Sequence, residues 1–210
     1  MSQDLKKKIR EEYVRCAASP AYFMRKYCYI QHPKRGRIQF NLYPFQDKVL
    51  TLFQENPYSI VLKSRQLGIS TLSAGYSLMI FHKDKNILCI ATKQETAKNM
   101  VTKVKFMYDN LPTWLKEKQK PSEDNKLTLR LNNGSQIKAT SASSDAGRSE
   151  AVSLLIIDVL HYLLLMVLET GFIKHGLQLK WVIIVFYLYV YLGKYILNET
   201  KIGETNKMQT

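Results

Sequence analysis

The stretch Ile60-Val61-Leu62-Lys63-Ser64-Arg65-Gln66-Leu67-Gly68-Ile69-Ser70-Thr71 decides how the rest of the chain is read. An apolar run, Ile60 to Leu62, gives way at once to polar residues and a glycine, and Leu72, Tyr76, Leu78 and Met79 then follow at helical spacing. Strand, tight loop and helix is the context in which backbone amides and a helix N-terminus converge on a phosphate. Gly68-Ile69-Ser70 stands where such a loop ordinarily carries Gly-Lys-Ser, so the usual lysine is missing. Lys63 and Arg65 are the cations at hand. Two readings fit the spacing: a phosphate-cradling loop of deviant pattern, or an ordinary strand–turn–helix with a polar turn.

Working outward, Tyr43-Pro44-Phe45-Gln46 opens a helix that continues through Val49, Leu50 and Phe53. A glutamine placed shortly before a phosphate loop offers a donor and an acceptor to the edge of adenine, and an aromatic neighbour offers a stacking face. Alone, Gln46 is simply a polar helix residue. After the loop, Asn86 to Thr92 reads as a buried strand, and Ala97, Met100, Val101, Val104 and Met107 mark a helix. Leu127 to Leu131 alternates, Asn132-Asn133-Gly134-Ser135 turns, and Gln136 to Thr140 returns, which is a hairpin signal. A small-residue loop, Ser141 to Ser149, carries Arg148. Val152 to Asp158 is a continuous apolar strand ending in a carboxylate. Such an aspartate, at the carboxyl end of a strand in a phosphate-loop enzyme, holds magnesium. Alternating strands and helices predict an α/β fold with a parallel sheet and a site along its carboxyl edge.

Upstream, Asp4 to Arg15 reads as a basic amphipathic helix with Leu5, Ile9 and Tyr13 on one face. Ser19-Pro20 opens a second helix through Tyr22, Phe23 and Tyr27. His32-Pro33-Lys34-Arg35-Gly36-Arg37 is a basic turn; its charges, interleaved with Tyr27, Tyr29 and Phe40, suit either nucleic-acid contact or a solvated loop. With 210 residues the chain suits one α/β domain. A net charge of +14 points to an anionic partner. Cys16, Cys28 and Cys89 lack metal-ligand spacing and suit free thiols, the four histidines are scattered, and residues 1 to 15 lack the apolar core of a secretory signal.

In this order, these elements resemble the ATPase domain of the large terminase subunit of tailed bacteriophages, most closely the myovirus type, over about Arg15 to Asp158. The resemblance is carried by Tyr43-Pro44-Phe45-Gln46, by Ser64 to Thr71, by Leu131 to Ser135, by Ser143 to Arg148 and by Leu154 to Asp158. It implies a P-loop NTPase fold of the RecA or helicase-like kind, with an N-terminal helical segment at 1–40 and a partial ATPase domain at 41–158. It also implies ATP and Mg2+ as cofactors, held by Gln46, Lys63, Ser64, Arg65, Gln66, Leu67, Gly68, Ile69, Ser70 and Thr71. In that scheme Gln46 reads adenine, Arg65 pairs with phosphates, Ser70 and Asp158 hold the metal, and Arg148 is an arginine finger. Thr92 matches a motif coupling nucleotide state to DNA. The implied partners are double-stranded DNA, the portal protein and the small terminase subunit. The implied setting is a homo-oligomeric ring in the host cytoplasm, with no membrane.

The chain departs from this pattern after Asp158. The family places a glutamate there to orient the attacking water; here Val159-Leu160-His161-Tyr162 follows. Residues 159–210 contain no Ala, Ser, Pro, Asp, Arg or Cys. Shifting the codons of this tail by one frame forces Gly at Met166-Val167 and at Trp181-Val182, and Ala at Met208-Gln209. With permitted codons, Tyr162 to Gly176 encodes a peptide containing Ser-Thr-Pro-Asn-Gly, the segment that follows the magnesium-binding strand in terminases. The expectation is therefore a frame-disrupted, truncated terminase that binds nucleotide but is defective in hydrolysis, with its sheet ending at the strand of Asp158 and no nuclease domain. Trp181 to Leu192 supplies twelve apolar residues, short of the roughly 18 to 20 a spanning helix needs; a strand suits it equally. The rival readings are another helicase-like nucleic-acid translocase and a non-enzymatic basic DNA-binding remnant.

Overall fold

Two continuous apolar runs, Ile87–Ala91 and Leu154–Ile157, are buried on both faces and form the centre of the sheet. The computed structural model describes residues 3–63, 66–78, 85–116, 119–141, 151–160 and 181–187, with 159–160 and 181–187 described as backbone. The two central strands, β4 (Asn86–Ala91) and β8 (Leu154–Leu160), run parallel and set Ala91 opposite Asp158. Around them a seven-stranded sheet has the order β3-β9-β8-β4-β7-β6-β5, with β3 at Tyr58–Lys63 and β9 at Trp181–Tyr187. The predicted hairpin is β6 (Thr128–Leu131) and β7 (Gln136–Ser141). Leu131 N donates to Ser135 O at 2.8 Å across its turn, where Gly134 adopts φ +89°. β7 returns parallel to β4, and β5 (Pro121–Asn125) closes the edge antiparallel to β6. Every β5 residue is exposed and its Pro-Ser-Glu-Asp-Asn carries no apolar alternation, so periodicity is blind to it.

The expectation that the sheet ends at the strand of Asp158 is corrected. β9 lies between β8 and β3 and runs parallel to both. Its β-branched and aromatic residues suit a central strand. Among the described residues it is β3 that stands at the sheet's edge, with Ile60 67% and Leu62 65% exposed.

Among the described residues, one helical layer covers the sheet. α4 (Ile69–Ser77) and α5 (Gln94–Asp109) pack against each other; α4 meets β8, and α5 meets β4 and β7. Outside α4 lie α2 (Pro20–Tyr27) and α3 (Pro44–Glu55), with α1 (Gln3–Ala18) against α2 and the short α6 at Thr113–Lys116. On α1 only Tyr13 and Cys16 reach the core; Leu5 is exposed. The N-terminal segment holds the two expected helices, and two strands outside that expectation flank its basic turn. Cys28 leaves the helix at φ −86°, ψ 135°, and β1 (Tyr29–His32) and β2 (Gly36–Gln39) form an antiparallel hairpin turned through Gly36 at φ +65°.

Glu12 ties the two N-terminal helices together. It accepts from Tyr22 Oη at 2.7 Å, Tyr27 Oη at 2.8 Å and Lys26 Nζ at 2.8 Å. The bonds from Lys26 and the two tyrosines hold its carboxyl down at about 2. All three cysteines are free and buried; burial pushes the Cys16 thiol up to about 11, Cys89 to about 12, and Cys28 higher still. No helix among the described residues is long and apolar enough to cross a membrane.

Candidate functional site

The loop after β3 is shaped by two left-handed residues on either side of Leu67. Gln66 has φ +65°, a conformation that costs a non-glycine residue about 1–2 kcal/mol. Gly68 has φ +72° and caps α4, whose first bond runs from Leu72 N to Gly68 O at 2.9 Å. The turn thus leads directly into the first turn of α4, whose free amides carry the positive end of the helix dipole. Ile69, in the position of the missing lysine, is buried in the core, and Leu72 to Ser77 are buried along the whole helix. The apolar residue there anchors α4 rather than facing a ligand. Ser64 and Arg65 lie outside the described residues, as does Arg148.

Gln46 is placed differently from the expectation that it reads adenine. Its side chain is 2% exposed; Oε1 accepts from Tyr43 N at 3.1 Å and Nε2 donates to Leu67 O at 3.0 Å. A Cβ on Gly68 would stand 2.8 Å from that same Nε2. The carboxamide thus spans the start of α3 and the loop, and in this arrangement it is spent on the chain's own backbone. Tyr43 and Phe45 stack beside it, centroids 5.7 Å apart and planes 7° off parallel.

Across the sheet, Ser70 Oγ donates to Asp158 Oδ2 at 3.0 Å, joining the first turn of α4 to β8. Asp158 is 6% exposed. Lys63 at the end of β3, 7% exposed, is pushed below the ordinary lysine range by burial, opposed by the Asp158 carboxylate and reinforced by repulsion from Lys103. Lys103 is lowered in the same way, by burial first and against Asp158. Two lysines and a hydroxyl therefore share the field of one carboxylate. Thr92 follows β4 directly, beside the level of Asp158. Sequence reasoning missed Lys103; the available signal was a lysine three positions after Met100, next to the apolar stripe of α5.

The site can receive a phosphate chain at the loop and a hard divalent cation at the Ser70–Asp158 oxygens. Among the described residues no group of three His, Cys, Asp or Glu converges. One carboxylate and one hydroxyl suit magnesium, which takes few protein ligands and completes its shell with water and phosphate.

No protein-family model matches the chain. Its fold is similar to that of the large terminase of bacteriophage HK97, with a TM-score of 0.61 and 19% identity over 81% of this chain and 37% of that one. It also overlaps the large terminase ATPase domain of Thermus phage P74-26 with a TM-score of 0.46 and 16% identity, over 70% of this chain and 64% of that domain. At 19% identity the likeness to the HK97 protein shows a shared fold alone, and the chain spans little more than a third of that protein's length.

Proposed function

We propose that this chain binds ATP with magnesium at the carboxyl edge of its sheet, as the motor portion of a terminase-type subunit that packages double-stranded viral DNA. The observation that carries the reading is the contact of Ser70 Oγ with Asp158 Oδ2 beside a left-handed phosphate loop. The loop amides and the α4 N-terminus receive the phosphates, with Lys63 close by; the resemblance adds Ser64 and Arg65 to that grip and Arg148 as an arginine finger. Ser70 and Asp158 would hold magnesium, whose chemistry is to neutralise charge between the terminal phosphates. Gln46 sets the shape of the loop through Leu67. Reading the base itself would first need the carboxamide to leave that carbonyl. Portal protein, small subunit and a ring of copies in the host cytoplasm belong to the same proposal.

Val159 stands where a water-orienting glutamate would follow Asp158, so hydrolysis is severely impaired. We read 159–210 as translated out of frame; codons incompatible with the Ser-Thr-Pro-Asn-Gly peptide would refute this. The test of function is thermal unfolding of the full chain with ATP and magnesium, alongside a released-phosphate assay. Ligand at a hundred times its Kd should stabilise by about 2.7 kcal/mol, with little phosphate released. Ser70→Ala and Asp158→Asn should weaken the shift. Turnover like that of an intact terminase would overturn the hydrolytic defect. Salt-dependent DNA binding without any ATP shift would favour the non-enzymatic remnant, the reading that the +14 charge alone supports.

A further inference from the structure

We propose that the β1–β2 hairpin is a contact for the phosphate backbone of duplex DNA, made by Lys34 and Arg35 at its tip. The inference rests on the DNA-handling reading above and places that contact on the chain. Between Glu12 and Asp47 there is no carboxylate, while Arg15, Arg25, Lys26, Lys34, Arg35 and Arg37 all fall there. Most of the cations around the hairpin are already committed. Arg25 pairs with Asp47 and Lys26 with Glu12, while the Arg37 guanidinium lies 5.1 Å over the Tyr29 ring and donates to Asn110 Oδ1 at 3.0 Å. Lys34 and Arg35 are exposed and, among the described residues, have no carboxylate partner. Their charge is presented outward, with no carboxylate among the described residues paired to it.

The tip is also built to hold a shape. His32 Nδ1 accepts from Lys34 N at 3.1 Å and from Arg35 N at 3.2 Å, pinning the turn from inside. Gly36 closes it at φ +65° with open space where a Cβ would stand. At the base, Gln39 Nε2 donates to Arg25 O at 2.6 Å and Lys26 O at 3.2 Å, and Phe40 N donates to Cys28 O at 2.9 Å between two buried residues. The result is a two-stranded finger fixed in the core at one end and doubly cationic at the other. Two adjacent cations with no aromatic side chain at the tip suit phosphates, which position a protein on DNA without reading its sequence. The hairpin packs on α5, and Arg37 reaches Asn110, the C-cap of that helix. α5 starts at the carboxyl edge and is sixteen residues, about 24 Å, long, and Asn110 caps its opposite end. The two sites can therefore be tested apart.

The experiment measures fluorescence anisotropy of a labelled mixed-sequence duplex with the full chain, titrated through salt. Each phosphate contact contributes about 0.9 to the slope of log affinity against log salt. Lys34→Gln with Arg35→Gln should lower that slope by about 1.8. Over a fourfold rise in salt, the parent chain should then lose about twelvefold more affinity than the variant. Arg35→Lys alone should keep the slope, and the double variant should keep its melting temperature and its ATP-induced shift. An unchanged slope overturns the proposal. So does a fall in melting temperature that accounts for the loss, or poly-glutamate binding as tightly with the same dependence on Lys34 and Arg35, which would make the tip an acidic-protein contact. Absence of an ATP shift in both chains would refute the nucleotide reading and leave the slope difference standing.

Discussion

The phosphate loop and the hairpin tip are both turns braced by one side chain against the backbone, and the braces sit in opposite surroundings. At the loop, Gln46 grips Leu67 O from inside the core; at the tip, His32 grips Lys34 N and Arg35 N from an exposed turn. Removing a buried brace leaves polar groups that water cannot reach, whereas removing an exposed one lets water take its place. The loop's shape is thus specified by the fold, and the tip's shape by six consecutive residues. A mutation in the core can disturb the first, while the second yields only to changes in its own sequence.

The largest effect should come from Gln46→Ala, which takes the buried carboxamide away from Tyr43 N and Leu67 O at about 1–3 kcal/mol in all. Denaturant unfolding should show the loss, and ATP should no longer raise the melting temperature. A cost below about 0.5 kcal/mol would break the comparison at its buried end. Gly68→Ala should cost about 1–2 kcal/mol for the left-handed backbone alone, and more because its Cβ meets Gln46 Nε2; the same unfolding experiment reads it. A third brace is intermediate. Glu12 is held near 2, against an ordinary value of 4.5, by Lys26, Tyr22 and Tyr27. A carboxyl lowered in the folded state stabilises fully above the unfolded value and loses that contribution as pH falls through the folded one. Melting temperature should therefore drop between about pH 4.5 and 2, and Glu12→Gln should flatten that part of the profile. The smallest effect is His32→Ala, within about 0.5 kcal/mol. A larger loss would show that the tip is built into the fold after all.

Much of the fold was legible because its signals were local. The apolar runs of β4 and β8, the Asn133-Gly134 turn of β6–β7 and the strand–loop–helix around Gly68 each announce themselves within a dozen residues. β1, β2 and β5 were hidden: four or five residues with little apolar alternation leave no period to detect. At the site, Asp158 was nameable from its place at the end of an apolar strand and Ser70 through the resemblance, and the two meet. Lys103 and the inward turn of Gln46 were not, because both depend on how α5 and α3 pack against elements far away in sequence.

The place of β9 has a consequence for the order of assembly. Among the described strands β3 pairs with β9, and Ile60 finds Ile184 more than half the chain later. Closing a loop of that size costs about 4 kcal/mol of chain entropy before any pairing offsets it, and such non-local contacts slow folding. β4, β6, β7 and β8 can register with one another first, while the strand that carries the phosphate loop waits for the last described strand. The proposed nucleotide site is then, among the described strands, the final part of the sheet to form, and on that proposal ATP, by binding only the finished arrangement, would report that the last of them had docked.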